Sequence, residues 1–258
     1  MKGLLLISAV CAAVQGQDEP RVGSDGRPLL NKPKLDLCKD RKFHEKYGKH
    51  HYFLSWREPW NKFEDWDWFN GRNFCRERCM DLVSFEDPEE YRHFAKILFK
   101  DNVSSIYTSG RKCNFQDKGC DSPTLQPINI NGWFWADGNT RIPPTNIPSR
   151  STFWSRTGEA GKPQPDNYNG LKEGKLEDVQ DKSGLTVEGL QEFYDEACLA
   201  VLNNQYKDGI QWHDVPCYFR SKLICEDSDL QMERIKEETK VDVRIPTTDK
   251  AEEKKPKA

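Results

Sequence analysis

The sequence predicts an α+β fold, and three observations support that prediction. Patterns typical of amphipathic helices occur early in the chain, whereas short strand-like segments dominate its second half. Aromatic residues make up 11% of the 258 residues, which excludes a wholly disordered chain. The cysteines beyond the N-terminal segment are even in number, as expected of a domain that is braced by disulfides.

The N-terminal segment has the features of a secretory signal peptide. Lys2 supplies a positive charge, and residues 4–14 form an apolar run of 11 residues, which is too short to span a bilayer. We expect cleavage near Gly16, so that residues 1–16 are removed and the mature protein is secreted and extracellular. A buried N-terminal helix is the alternative interpretation.

The rest of the chain reads as one domain between two polar tails. Residues 17–37 contain Pro and Gly without periodicity, which predicts a flexible leader. Residues 38–226 form the domain. Residues 227–258 are highly charged and predict a mostly disordered tail with a short helix over 229–239. No long apolar run follows the signal peptide, so we expect no membrane span. The net charge of −3 argues against a nucleic-acid binder.

Cysteine usage agrees with secretion. Of nine cysteines, one (Cys11) lies in the signal peptide, which leaves eight in the mature chain. These eight are Cys38, Cys75, Cys79, Cys113, Cys120, Cys198, Cys217 and Cys225. An even set in a secreted chain predicts a disulfide framework, although spacing alone does not choose the pairs. A zinc site is the alternative, but it is disfavoured because the sequence has no Cys-x-x-Cys motif.

The helices and strands follow from local patterns. Residues 52–56 read as a strand, and residues 66–79 carry apolar side chains at helical spacing. Asp87 and Pro88 mark the start of a second helix, because a carboxylate caps free N–H groups and Pro suits the first helical position. The buried face of that helix is predicted to carry Tyr91, Phe94, Ala95 and Leu98.

Short strands are predicted in the second half, and long loops separate them. The strands are expected at residues 105–109, 133–135, 199–202, 210–212 and 222–225. Residues 110–132 and 136–190 are rich in Gly, Pro, Asn and Asp, and long loops of this kind are usually functional or cross-linked. The sequence Asn102-Val103-Ser104 is a glycosylation acceptor in a secreted protein.

Six segments follow one another along the chain and form a distinctive series. The first includes Trp66, Asn73, Phe74, Cys75, Leu82-Val83-Ser84 and Glu89. The others are Trp133-Phe134-Trp135-Ala136-Asp137-Gly138, Gln164-Pro165-Asp166 after Trp154, Glu196-Ala197-Cys198, Trp212-His213-Asp214-Val215-Pro216-Cys217 and Leu223-Ile224-Cys225-Glu226. Together they resemble a C-type lectin-like domain, of the kind found in secreted arthropod C-type lectins, and the resemblance covers about residues 38–226. It implies a C-type lectin-like fold with two helices, small antiparallel sheets and long disulfide-braced loops.

The resemblance also implies two disulfides, Cys75–Cys225 and Cys198–Cys217. Cys113 and Cys120 lie seven residues apart and are expected to close a small extra loop. The pair Cys38–Cys79 then remains by exclusion.

The resemblance further implies a secreted, calcium-dependent lectin that takes part in innate immune recognition. Gln164-Pro165-Asp166 matches the galactose-type tripeptide of the family, in which a cis peptide bond precedes the proline. The metal ligands would be Gln164, Asp166, Glu196 and Asp214. The carbohydrate-binding residues would be Gln164, Asp166, Tyr168, Glu196, His213 and Asp214. The expected partners are glycans with terminal galactose or N-acetylgalactosamine, on microbial surfaces or glycoproteins.

Two departures from the family pattern keep a second function open. His213 stands where the family has Asn, and imidazole suits zinc or copper better than calcium. In addition, the 29 residues from 167 to 195 separate Asp166 from Glu196, which is more than the family usually has. The alternative is a calcium-independent, lectin-like protein-interaction module that has lost sugar binding.

An enzyme is the remaining class, and the sequence does not favour it. Glu196 and Asp214 could be a glycosidase pair by residue type alone. His213 and Asp214 are neighbours in a predicted strand, where adjacent side chains point to opposite faces. No nucleophile elbow, His-Glu-x-x-His motif or phosphate loop occurs in the sequence. We therefore expect no catalytic activity.

Overall fold

The computed structural model of the chain describes residues 29–62, 64–113, 119–147, 149, 152–168 and 195–244. The predicted signal peptide (1–16), most of the leader and the end of the tail (245–258) lie outside the described residues.

Five α-helices lie in the described part of the chain. They are α1 (Leu35–Lys39), α2 (Trp68–Arg76), α3 (Pro88–Lys100), α4 (Ile128–Asn131) and α5 (Asp229–Thr239). Asp87 caps α3 as predicted, because its side chain accepts the N–H of Glu89 and Pro88 follows at the first helical position. The helix α2 begins two residues later than predicted, because the backbone of Trp66 pairs with Ser221 instead.

Nine strands of the described residues form one connected sheet. They are β1 (Glu45–Tyr47), β2 (His50–Leu54), β3 (Met80–Leu82), β4 (Ser105–Lys112), β5 (Trp133–Trp135), β6 (Thr140–Arg141), β7 (Cys198–Asn203), β8 (Ile210–Val215) and β9 (Lys222–Asp227). The main path is β1-β2-β9-β4-β5-β6. Strand β3 also pairs with β9, and β7 joins β4 to β8.

The predicted α+β architecture is confirmed, with two differences from the expected arrangement. Besides the expected helices α2, α3 and α5, the described residues contain the short helices α1 and α4. The strand pairs are antiparallel except for β4 and β9, which pair in parallel at Ile106 and Tyr107. A parallel pair needs a long connection, and here more than a hundred residues separate the two strands.

The sheet separates two large apolar cores. The first lies against α3 and includes Phe94, Trp133 and the fully buried Trp212. The second lies against α2 and includes Trp68 and Leu223. Gly71 permits this second packing, because a Cβ at its position would lie 2.5 Å from a methyl carbon of Leu223. Trp212 and Trp68 are thus core residues.

Four disulfides connect these elements, and they are the four pairs expected from the sequence. They join Cys75 to Cys225, Cys198 to Cys217, Cys113 to Cys120 and Cys38 to Cys79. The first joins α2 to β9 across 150 residues, and the second joins the start of β7 to the end of β8. The loops around β8 are therefore covalently braced at their base.

The structure describes the C-terminal segment up to Arg244. The short helix expected over 229–239 is present as α5. Its residues Met232 and Ile235 are buried against the Cys38–Cys79 disulfide and Val243. The boundary of the predicted tail at residue 227 and its disorder stay predictions.

Two surface features bear on the sequence predictions. Asn102, the predicted glycosylation acceptor, follows α3 and is exposed; its modification stays a prediction. No helix within the described residues combines the length and the apolar character that a membrane span requires.

Candidate metal centre

The site is built on strand β8 and on the segment 152–168 that runs beside it. Trp154 forms a parallel bridge with Trp212. The Trp212 N–H donates to the Phe153 carbonyl (2.8 Å), and the Ser155 N–H donates to the Trp212 carbonyl (3.0 Å). These contacts hold the segment against β8, one residue away from His213 and two from Asp214.

The turn Gln164-Pro165-Asp166 is hydrogen-bonded to Ser155 on one side and to Asp214 of β8 on the other. The peptide bond between Gln164 and Pro165 is cis, as the family resemblance implies. The Gln164 N–H donates to the Ser155 carbonyl at 2.9 Å. Farther on, the Asp166 N–H donates to Asp214 Oδ1 at 3.2 Å, and the Asn167 N–H donates to Asp214 Oδ2 at 2.8 Å. Both carboxylate oxygens of Asp214 thus accept backbone N–H groups from this turn.

Glu196 reaches the same place from the start of β7. The Lys112 N–H donates to the Ala197 carbonyl at 2.8 Å, and the Lys112 ammonium pairs with Asp195 at 2.8 Å. The Glu196 N–H donates to the side-chain oxygen of Asn167 at 2.8 Å. Glu196 therefore lies beside Asp166 despite the long sequence separation between them.

Three carboxylates converge here. One side-chain oxygen from each of Asp166, Glu196 and Asp214 lies within 4.8 Å of the other two. Glu196 and Asp214 are buried, and Asp166 is half-buried. Asp166 Oδ2 is itself buried and accepts no hydrogen bond from the described residues. Burial raises the pKa of Asp214 above its ordinary value, and the charge of nearby Asp166 adds to that effect.

This donor set fits a hard divalent cation. Calcium is held by carboxylate and carbonyl oxygens, and several acids around one point supply the negative charge that attracts it. The buried, unpaired oxygen of Asp166 is the feature that an added cation would satisfy. No lysine or arginine of the described residues forms an ion pair with Asp166 or Asp214 that could take its place.

Gln164, the fourth expected ligand, is buried and lines the same pocket as the three acids. Its amide nitrogen donates to the Lys162 carbonyl at 3.3 Å. Gly158 makes room for the amide group, because a Cβ at that position would lie 2.3 Å from Gln164 Nε2. A side chain at position 158 would therefore require the Gln164 amide group to move.

His213 is not part of the carboxylate cluster. It borders the pocket but is only 2% exposed, and its Nε2 lies 2.9 Å from Asp208 Oδ2. The same Asp208 oxygen accepts the Ser155 hydroxyl at 2.5 Å. Burial lowers the pKa of His213, and the bond to Asp208 opposes that shift. His213 thus links β8 to Asp208 and through it to the segment that carries Gln164.

The carboxylates face a pocket of about 150 Å³. Tyr168 lines it and is 41% exposed, and the half-buried Tyr206 and Phe219 line it as well. The Tyr206 ring lies 5.3 Å from the His213 ring, centroid to centroid. The pocket therefore combines a charged end with aromatic walls.

Sequence reasoning missed three residues of this region. Asn167 was detectable, since it follows Asp166 directly and is a residue type that tolerates positive φ. Asp208 and Tyr206 lie in the turn between β7 and β8, and no local pattern distinguishes them from other polar turn residues. Their position beside His213 follows only from the pairing of the two strands.

The chain matches no protein-family model, and no curated protein matches it. Solved structures similar to it include the mouse scavenger receptor C-type lectin carbohydrate-recognition domain, with 18% identity and a TM-score of 0.41 over 71% of this chain and 94% of that one. The C-type lectin CEL-I from Cucumaria echinata has 15% identity and a TM-score of 0.41 over 70% of this chain and 92% of that one. A Ca²⁺-dependent type II antifreeze protein in its Ca²⁺-free form has 18% identity and a TM-score of 0.40 over 72% of this chain and 97% of that one.

Proposed function

We propose that this protein is a secreted, calcium-dependent lectin for galactose-type glycans. The observation that carries the proposal is the convergence of Asp166, Glu196 and Asp214, with their ligand oxygens within 4.8 Å of one another at the mouth of a pocket. Gln164, from the galactose-type tripeptide in the sequence, would complete the donor set with an amide oxygen. A bound calcium ion would supply coordination for two neighbouring sugar hydroxyls.

The residues of this chain would bind the sugar in two ways. The carboxylates beside the cation would accept hydrogen bonds from sugar hydroxyls, so cation and sugar binding would depend on each other. The exposed ring of Tyr168 would pack against the apolar face of the sugar, as aromatic rings pack against C–H groups. Terminal galactose or N-acetylgalactosamine is the expected ligand. Recognition of microbial surfaces or glycoproteins in innate immunity is the biological role we propose.

One observation favours a second candidate, a protein-interaction module without calcium. His213 occupies the position where the family pattern has Asn, and its Nε2 is held by Asp208 instead of facing the three acids. The site then lacks one of the oxygen donors that the family pattern supplies. Under this alternative, the loops around the pocket would contact a protein surface.

Galactose-resin chromatography in calcium and in EDTA distinguishes the two functions. The purified protein is compared with Asp214→Asn, which removes one carboxylate of the site. Asp229→Asn is the matched control, because it makes the same charge change at an exposed side chain. Among the described residues, Asp229 forms its ion pair with Lys49 at the surface.

We expect the wild type and D229N to be retained in calcium and released by EDTA, and D214N to flow through. Retention of the wild type in both buffers would contradict the calcium dependence and would move sugar binding to the aromatic walls. Flow-through in both buffers would contradict the galactose assignment and favour the protein-interaction module.

A further inference from the structure

Asn167 lies at the point where the three acids of the candidate metal centre meet. It follows Asp166 directly, and its backbone is in the left-handed region with φ of 50°. Asn is one of the few residues with a side chain that adopt this conformation readily. The left-handed residue turns the chain immediately after Asp166.

Two hydrogen bonds connect Asn167 to the other two acids. Its backbone N–H donates to Asp214 Oδ2 at 2.8 Å. Its side-chain oxygen accepts the backbone N–H of Glu196 at 2.8 Å. One residue therefore contacts Asp214 and the backbone of Glu196, and it is covalently joined to Asp166.

The contact with Glu196 spans a large gap in sequence. Asn167 and Glu196 are 29 residues apart, and the hydrogen bond between them is partly buried. The two neighbours of Glu196 are held by Lys112, whose ammonium pairs with Asp195 and whose N–H donates to the Ala197 carbonyl. Asn167 ties Glu196 directly to the Gln164-Pro165-Asp166 turn.

We propose that Asn167 is the positioning residue that sets the spacing of the three carboxylates, with its side-chain oxygen holding Glu196 in the cation site. The inference rests on the proposed cation-binding function and goes beyond it, because it assigns the assembly of the site to one side chain that need not touch the cation. Residues that orient metal ligands typically change metal affinity about 10- to 100-fold when they are replaced.

Three variants test this role. Asn167→Gly keeps the left-handed backbone and the N–H bond to Asp214, and it removes only the acceptor for Glu196. Asn167→Asp keeps an acceptor oxygen at the same place and serves as the conservative rescue. Asn204→Gly is the matched control, because Asn204 has φ of 57° and its side-chain oxygen also accepts a backbone N–H, that of Gly209. Its turn between β7 and β8 borders the pocket but supplies none of the three carboxylates.

Calcium binding is measured directly by calorimetry with calcium chloride alone, and thermal unfolding is measured in EDTA. We expect N167G to bind calcium about 10- to 100-fold more weakly than the wild type. The control N204G should bind within about threefold of the wild type. N167D should bind within about threefold of the wild type or more tightly. In EDTA, N167G and N204G should lower the unfolding temperature by similar amounts, because each loses one comparable hydrogen bond.

The outcomes separate this inference from the proposed function. If the wild type binds no calcium, the proposed function and the inference both fail. If the wild type binds and N167G binds equally well, the positioning role is wrong while the function stands. A loss in N167G that N167D does not restore, or that N204G shares, would also overturn the inference, because the acceptor for Glu196 would not be its cause.

Discussion

Two buried acidic regions of this molecule differ in how their charge is balanced. Asp81 in β3 is 1% exposed and accepts two parallel hydrogen bonds from the Arg72 guanidinium, at 2.9 and 3.0 Å, and another from Arg76 at 3.3 Å. Asp214 in β8 is 3% exposed, and the contacts it accepts from the turn beside it come from the backbone N–H groups of Asp166 and Asn167.

The difference separates buried acids that are paired with cations of the chain from buried acids that are not. A buried carboxylate is costly unless it is paired, and the chain pairs Asp81 with two of its own cations. At the candidate metal centre, three carboxylates lie together. No arginine or lysine of the described residues forms an ion pair with Asp166 or Asp214. We infer that the first region stabilises the fold, whereas the second keeps its charge for a cation from solution.

The largest expected effect comes from the same substitution made in both regions. Asp81→Asn leaves two buried guanidiniums without their carboxylate and should lower the free energy of unfolding by about 3–5 kcal/mol. Asp214→Asn relieves repulsion within the acidic cluster, but its NH2 group replaces one of the two oxygens that accept backbone N–H groups, so one of those hydrogen bonds is lost. These two effects oppose each other, so in EDTA the unfolding free energy should change by less than about 1 kcal/mol. Urea denaturation in EDTA, with the disulfides intact, measures both values.

Calcium should narrow the difference in unfolding free energy between the two variants, because D81N keeps all three acids of the candidate metal centre. At saturating calcium the wild type gains stability by mass action, and D214N should gain little because it lacks one ligand. A loss in D214N in EDTA as large as that in D81N would contradict the comparison, since Asp214 would then be as structural as Asp81.

An intermediate effect is expected at His213, which lies beside the metal centre but outside its carboxylate cluster. His213→Asn removes the contact with Asp208 and leaves a buried carboxylate with fewer partners, which should cost about 1–3 kcal/mol of unfolding free energy. Calcium affinity, measured by calorimetry, should change by less than about fivefold, because His213 does not face the three acids. A tenfold or greater gain in affinity would instead mean that position 213 can supply a ligand, as it does in the family pattern.

The smallest expected effect is a change in pH dependence at Asp137, which borders the Asp81 region. Burial raises the pKa of Asp137 to about 6, and the charge of Asp81 contributes to the shift. The Ser228 hydroxyl donates to its Oδ1 at 3.1 Å. Because the folded state holds the proton more tightly, this group's stabilisation is fully present below pH 3.8 and is lost as the pH rises through about 6.

Asp137→Asn keeps an oxygen for Ser228 and has no proton to lose. Its unfolding temperature relative to that of the wild type should therefore be higher at about pH 7 than at about pH 4. A constant difference across that range would show that the pKa of Asp137 is not raised in the folded state. The two arginines would then balance Asp137 as well as Asp81.

Local signals predicted much of the fold. Asp87 and Pro88 predicted the start of α3, because a capping carboxylate and a first-turn proline act on backbone groups only a few residues away. The strands around Trp133 and Trp212 were placed correctly from their apolar, aromatic composition. The packing of α5 was not predicted, because its weak apolar face is covered by the Cys38–Cys79 disulfide, which lies far away in the sequence.

The sequence by itself determined the α+β composition, the start of α3, the cysteine framework through its resemblance, and the acidic residues that come together at the metal centre. The tertiary structure decided that Asp166, Glu196 and Asp214 converge within 4.8 Å and that His213 turns to Asp208. It also decided that Asn167 bridges 29 residues to Glu196. The physical reason is range: capping, periodicity and turn chemistry act between neighbours, whereas the geometry of the site depends on strand pairing and hydrogen bonds between distant segments.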